Sequence, residues 1–266
     1  MSIIIKPVRW LNKITRQNIM KIIFKSSLGI TLAALIALST PSQANEDDEI
    51  DCENAETTYE ISVCAAKEAD LKKAEVNKII ASLPDSAVLS KAVISWQKYI
   101  SDMKTYKIDS SDGSMRSADA SSFESYETAY MAQALKGIYE YTFEFASDEA
   151  KAIANEYRQC LDKNASAKAQ CHTKYFKKAD KLLNSRYKTA KTECADTFEY
   201  SDDSENDIKK CLSSLKKAEI SWIGYRDAFA KYIEANDRNE DNVEIFKFNA
   251  TLEQAVNLGE VEEGSM

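Results

Sequence analysis

Residues 218–229 read AEISWIGYRDAF, and residues 92–103 read AVISWQKYISDM. Both carry Ala-x-x-Ser-Trp-x-x-Tyr, and they hold the only two tryptophans beyond Trp10. In the later copy Trp222, Tyr225 and Phe229 step by three and four, the spacing of one buried helix face. In the earlier copy Leu89, Val93, Trp96, Ile100 and Met103 step by four, three, four and three. Two tryptophan helices of one pattern point to a helical protein with a tandem repeat.

The surrounding chain agrees. Proline beyond residue 44 is limited to Pro84, and glycine to Gly113, Gly137, Gly224, Gly259 and Gly264. Period-two apolar alternation is scarce, so strands are not expected. The pattern predicts a helix over 52–82 that stops at Leu83-Pro84, since proline cannot continue it. A second helix is expected over 87–106, a polar loop over 108–120, and a third helix over 122–145. The inner face of that third helix would be Phe123, Tyr126, Tyr130, Ile138, Tyr141 and Phe145. Ser147-Asp148-Glu149 supplies a helix start with acidic residues in the first turn. Helices follow over roughly 148–195, 206–235 and 242–257.

Residues 1–44 read as a cleaved signal peptide, with Met20 as an alternative start. Lys21 and Lys25 precede an apolar run over 28–38, and Ser42-Gln43-Ala44 offers small residues for cleavage. The run is too short to span a bilayer as an anchor. The segment holds six basic residues and no acidic one. Without it, 29 Lys plus Arg face 43 Asp plus Glu, a net charge of −14. Such a surface repels nucleic acid and attracts cationic partners. The expected location is the periplasm or outside the cell, with no membrane span in the mature chain.

Cys52, Cys64, Cys160, Cys171, Cys194 and Cys211 form an even set in an exported chain, which reads as disulfides rather than metal ligands. Six cysteines allow fifteen pairings. Cys64 to Asn77 and Cys171 to Asn184 each span thirteen residues, whereas Asn77 to Trp96 spans nineteen and Asn184 to Trp222 thirty-eight. The second unit therefore carries an insertion that contains Cys194 and Cys211. This favours the local pairs Cys52–Cys64, Cys160–Cys171 and Cys194–Cys211. The expected architecture is all-α: two tandem three-helix units, 45–146 and 147–258, with a hairpin extension over 190–212 and a frayed tail over 259–266.

Cys171, Asp180-x-x-Leu183-Asn184-x-x-Tyr187 and Ala218-Glu219-x-x-Trp222-x-x-Tyr225-Arg226-Asp227 resemble the lysozyme inhibitor LprI N-terminal domain family. The resemblance covers most of 160–233 and, more faintly, 52–140. Glu219 stands where that family usually has Gln. In the first unit Lys73, Ile80, Val93 and Ile100 replace its Asp, Tyr, Gln and Arg. The resemblance implies a small exported helical module that binds lysozyme.

Two sets of residues are candidate sites. Asp180, Asn184, Glu219 and Arg226 form a polar set expected to fix helix register, with Arg226 reaching Asp180 or Glu219 and hydrogen-bonding Asn184. The hairpin tip carries Asp196, Phe198, Glu199, Tyr200, Asp202, Asp203, Glu205 and Asp207, carboxylates with aromatic anchors suited to a basic partner such as a lysozyme. The competing role is an envelope adaptor that docks another periplasmic protein through the tyrosine-rich third helix. His172 is the only histidine, which excludes sites needing two. No phosphate loop or nucleophile elbow occurs. No enzyme activity, cofactor or metal is expected.

Overall fold

A computed structural model describes residues 50–259, apart from 112, 140–146, 164 and 238. The expected signal peptide and residues 260–266 lie outside the described residues. Those described form seven α-helices: α1 (Thr58–Ser82), α2 (Ala87–Asp109), α3 (Arg116–Leu135), α4 (Asp148–Lys163), α5 (Lys168–Thr197), α6 (Ser204–Asn236) and α7 (Glu240–Asn257). A 3₁₀ turn over Ala165–Ala167 separates α4 from α5.

Local chemistry sets most of these boundaries. Thr57 and Glu60 form a reciprocal capping box at the start of α1, which satisfies two otherwise orphaned amides. Ser86 accepts from the Leu89 amide and opens α2 just after Pro84. Asn239 does the same for α7 through the Asp241 amide. The third helix departs from expectation, because it starts at Arg116 and stops at Leu135. Gly137 adopts φ +80°, and its amide and that of Ile138 bond back to Ala134 and Gln133. That left-handed termination needs a residue without a Cβ. Ile138 is accordingly exposed rather than inward, while Tyr141 and Phe145 lie outside the described residues.

The three disulfides are Cys52–Cys64, Cys160–Cys171 and Cys194–Cys211. The second bridges the α4–α5 break and the third staples the facing ends of α5 and α6. Three disulfides suit an oxidising compartment. No helix of the described residues is long and apolar enough to cross a membrane.

The helices do not pack in chain order. Α2 packs most extensively against α6, α1 lies along α3, and α5 lies along α7. Lesser contacts join α2 to α3, α4 to α5, and α6 to α7. The α2–α6 pair is antiparallel, since Tyr99 meets Tyr225 while Asp109, further along α2, meets Lys210, further back on α6. Tyr99 and Tyr225 stack with ring centroids 5.6 Å apart. Each occupies the Tyr position of its Ala-x-x-Ser-Trp-x-x-Tyr stretch, so like residues of the two stretches face each other.

This arrangement explains why α2 is buried on more than one face. Leu89, Trp96, Ile100 and Met103 are buried as the spacing predicts, and Val93 is half-buried. Ala92, Tyr99 and Tyr106 are buried as well, because α6 covers what would otherwise be a solvent face. On α6, Leu215, Ala218, Trp222, Tyr225, Phe229 and Ile233 complete the core. The extension over 190–212 reaches the end of α2. There Lys210 pairs with the largely buried carboxylate of Asp109 at 2.9 Å. Burial, reinforced by Glu193 of α5, pushes the Tyr106 phenol up to about 12.

Candidate functional site

The tip between α5 and α6 is organised by its own polar residues. The Ser201 hydroxyl donates to Asp207 at 2.5 Å. The Asp203 carboxylate accepts from the Asn206 side-chain amide at 2.8 and 2.9 Å. Asp196, Glu199, Asp202, Asp203 and Glu205 remain exposed, and Asp207 is half-buried. The two aromatic residues separate sharply. Tyr200 is 90% exposed, whereas Phe198 is 8% exposed and joins the core. Phe198 is thus no anchor for a partner: directly after α5 it turns inward and closes the stapled end.

The polar set expected between α5 and α6 is only partly assembled. Asn184 donates to the Asp180 carbonyl at 2.7 Å and to its carboxylate at 3.2 Å, within α5. Arg226 donates from Nε and Nη2 to Asp227 at 3.0 and 2.9 Å, and lies 4.8 Å over the Trp222 ring. It does not bond Asn184 as expected, because its own neighbour supplies the carboxylate and α5 packs along α7 more than along α6. Glu219 instead accepts from Gln254 of α7 at 3.1 Å. Burial raises its pKa; the Gln254 bond and nearby Arg226 oppose that rise, and Asp180 adds to it.

The only histidine has a place in the same region. His172 is buried and its Nδ1 lies 2.6 Å from the Tyr157 hydroxyl. Its Nε2 lies 3.3 Å from Asp241, which Lys168 also holds at 2.6 Å. The chain Tyr157–His172–Asp241 ties α4, α5 and α7 together. Cys171, next to it in sequence, is held in the disulfide with Cys160.

These helices, with the staple, the tip and the Trp-Tyr-Arg-Asp segment, are the part of the chain that the comparisons single out. Residues 160–263 match the family Lysozyme inhibitor LprI. Neither the curated proteins nor the solved structures compared with the chain gave a match. The LprI match thus begins at Cys160 on α4 and takes in α5, α6 and α7, while α1, α2 and α3 lie before it.

Two further polar groupings involve those earlier helices, and the sequence reading singled out neither. The first runs through the core where they meet the LprI region. Tyr99 donates to Gln254 at 2.8 Å, Asn257 donates to Tyr99 at 3.3 Å and to Glu127 at 2.6 Å, and Lys107 donates to the Asn257 carbonyl at 3.0 Å. Glu127 and Glu253 share a hydrogen bond. Burial holds the Glu127 carboxyl up at about 7 and, with the nearby Glu127 charge, pushes Glu253 well above the usual carboxylate range. Their interval, 126 residues, equals that from Trp96 to Trp222 and from Tyr99 to Tyr225. That equality was the available signal.

The second grouping lines a groove of about 470 Å³ outside the LprI region, walled by α1, α2 and α3. Because α1 lies along α3, the space between α1 and α2 stays open. Lys73 and Lys104 both pair with Glu124 on its floor, the former at 2.8 Å. On the tyrosine-rich helix Tyr130 is buried and Tyr126 half-buried; Tyr139, beyond its end, is buried as well, and Tyr141 lies outside the described residues.

Proposed function

We propose that this is an exported, non-enzymatic binding protein of lysozyme-inhibitor type, which engages a basic partner through the tip of the α5–α6 hairpin. The LprI match over 160–263 carries this reading, since it contains the whole hairpin. The local chemistry supports it. Exposed Tyr200 stands among Glu199, Asp202, Asp203 and Glu205, on an end held by Cys194–Cys211. A rigid acidic end loses little entropy on docking and steers a cationic partner. Inward-facing Phe198 supports the tip, leaving Tyr200 as the contacting aromatic. The units 45–146 and 147–258 are read as two versions of one module that meet along α2 and α6; the facing of Tyr99 with Tyr225 and of Glu127 with Glu253 supports that division.

The test is lysis of a cell-wall suspension by a basic animal-type lysozyme with the oxidised protein added. Near-equimolar inhibition at low salt, weaker at physiological salt and lost on changing Asp202, Asp203 and Glu205 to Asn or Gln, is the expected result. A second reading, an envelope adaptor, would use exposed Ile220 and Ile223 on α6. No inhibition by folded, oxidised protein at large excess would favour it.

A further inference from the structure

We propose that the groove between α1 and α2 binds a small organic carboxylate with an apolar body. The argument begins with an imbalance of donors over acceptors. The groove presents the ammonium groups of Lys73 and Lys104 and the side-chain amides of Asn77 and Gln97. Against them stands one buried carboxylate, Glu124, which serves both lysines. Asp70 also pairs with Lys73 at 3.2 Å, but from an exposed position. Each ammonium has three protons to place. Glu124 gives one oxygen to each lysine, and with the lysine side chains 39% and 30% exposed the remaining protons face the open groove, where a bound anion can replace water.

Two buried groups in the groove wall lack a hydrogen-bond partner among the described residues. The Trp96 indole N–H and the Thr128 hydroxyl make no hydrogen bond, although their residues are 5% and 0% exposed. Interior polar groups are almost always paired, and an unpaired one is costly. An indole N–H can only donate, so what it lacks is an acceptor. The N–H has no exposed surface in the empty groove, so the ring must move for it to reach a bound oxygen. The remaining walls, Trp96, Ile100 and Ile108, are apolar. A ligand that supplies acceptor oxygens at one end and an apolar body at the other meets all three conditions: free ammonium protons, an orphaned donor and greasy walls. Glu124 then acts as a resident competitor that keeps the lysines in place when the groove is empty.

The experiment uses 3-phenylpropionate as probe and 3-phenylpropionamide as its uncharged control, at physiological salt so that the protein's net negative charge is screened. Binding is read from the indole N–H resonances of the ¹⁵N-labelled oxidised protein. Trp96→Phe assigns the Trp96 signal, and the Trp222 signal reports whether the fold is intact. The expected result is a saturable shift of the Trp96 resonance by the acid and not by the amide. Lys104→Met and Lys73→Met should each weaken binding roughly tenfold or more, as loss of one charged hydrogen bond implies. Glu124→Gln should tighten it, because a competing carboxylate is gone. Should a lysine variant disturb the Trp222 signal, the acid–amide comparison and Glu124→Gln decide alone. No shift at tens of millimolar acid in both the unaltered protein and Glu124→Gln overturns the proposal. So does an equal response to the amide.

Discussion

Trp96 and Trp222 occupy the same place in two related stretches, yet their surroundings differ. Beside Trp222, four residues on, Arg226 lays its guanidinium over the ring and binds Asp227. Beside Trp96 the corresponding residue is Ile100, which is apolar and short, and a groove with two lysines opens there instead. The lysine that replaces Asp180 in register, Lys73, is one of them. Where Arg226 supplies a cation from the same helix as Trp222, the lysines near Trp96 come from two helices and gather around Glu124. Two stretches that share Ala-x-x-Ser-Trp-x-x-Tyr therefore sit in different chemical surroundings.

The comparison rests on a shared core, and the largest expected effect tests that core. Phe229, fully buried between Tyr225 and Phe246, should lose about 3–5 kcal/mol of stability when changed to Ala. In urea, each single-tryptophan variant should give one midpoint by fluorescence of its remaining tryptophan and by far-ultraviolet circular dichroism of all its helices. Separate midpoints would break the comparison into two independent domains.

The buried carboxylate pair sharpens it next. Glu127 has a folded-state pKa raised from 4.5 to about 7, so the fold favours the protonated form. Its contribution is full below about pH 4.5 and is lost as pH rises toward 7, by about 3 kcal/mol on that shift. The two carboxyls titrate as a unit. Thermal melting followed from pH 5 to 8 should show declining stability, and Glu127→Gln should flatten the slope. An equal slope in that variant would remove the pair from the account.

Loss of the staple comes third. Replacing Cys194 and Cys211 by Ser should cost about 3 kcal/mol for a loop of this length. It should also reduce any inhibition of lysozyme more than the melting temperature alone implies, because it frees the tip. The smallest effect is local to Trp222: Arg226→Met should cost about 1–2 kcal/mol for a largely buried cation–aromatic contact, with no change in the Trp96 signal. A response at Trp96 would show the two sites to be coupled through the core.

Local features were legible in the sequence. The absence of proline and the three-four spacing around both tryptophans gave helices, Pro84 gave the α1–α2 break, and the insertion between Asn184 and Trp222 located the staple. What spacing conveys poorly is which helix meets which. An apolar stripe on α2 states that it is covered, and only Tyr99, Tyr106 and Ala92, off the main stripe, hinted at a second cover. Gly137 was a readable stop, overridden by the apolar pattern beyond it. The site was harder. Helical spacing points Arg226 at distant partners, although its neighbour Asp227 suffices, and composition alone does not separate Phe198, which faces in, from Tyr200, which faces out. Glu127, Glu253 and the lysines on Glu124 escaped notice because buried charge has no local pattern.

The antiparallel meeting of α2 with α6 also dictates an order of events as the chain is made. Synthesis delivers α1, α2 and α3 first; α3 covers part of α2 through Phe123 against Tyr99, and the rest of its inner face has no cover until residues 204–236 have followed. Contacts this remote in sequence form slowly, since a long loop must close before they are rewarded. A half-made chain would therefore display an adhesive apolar strip for the whole interval, the condition in which aggregation competes with folding. Shielding of that strip until the last helices arrive would shift the competition toward folding.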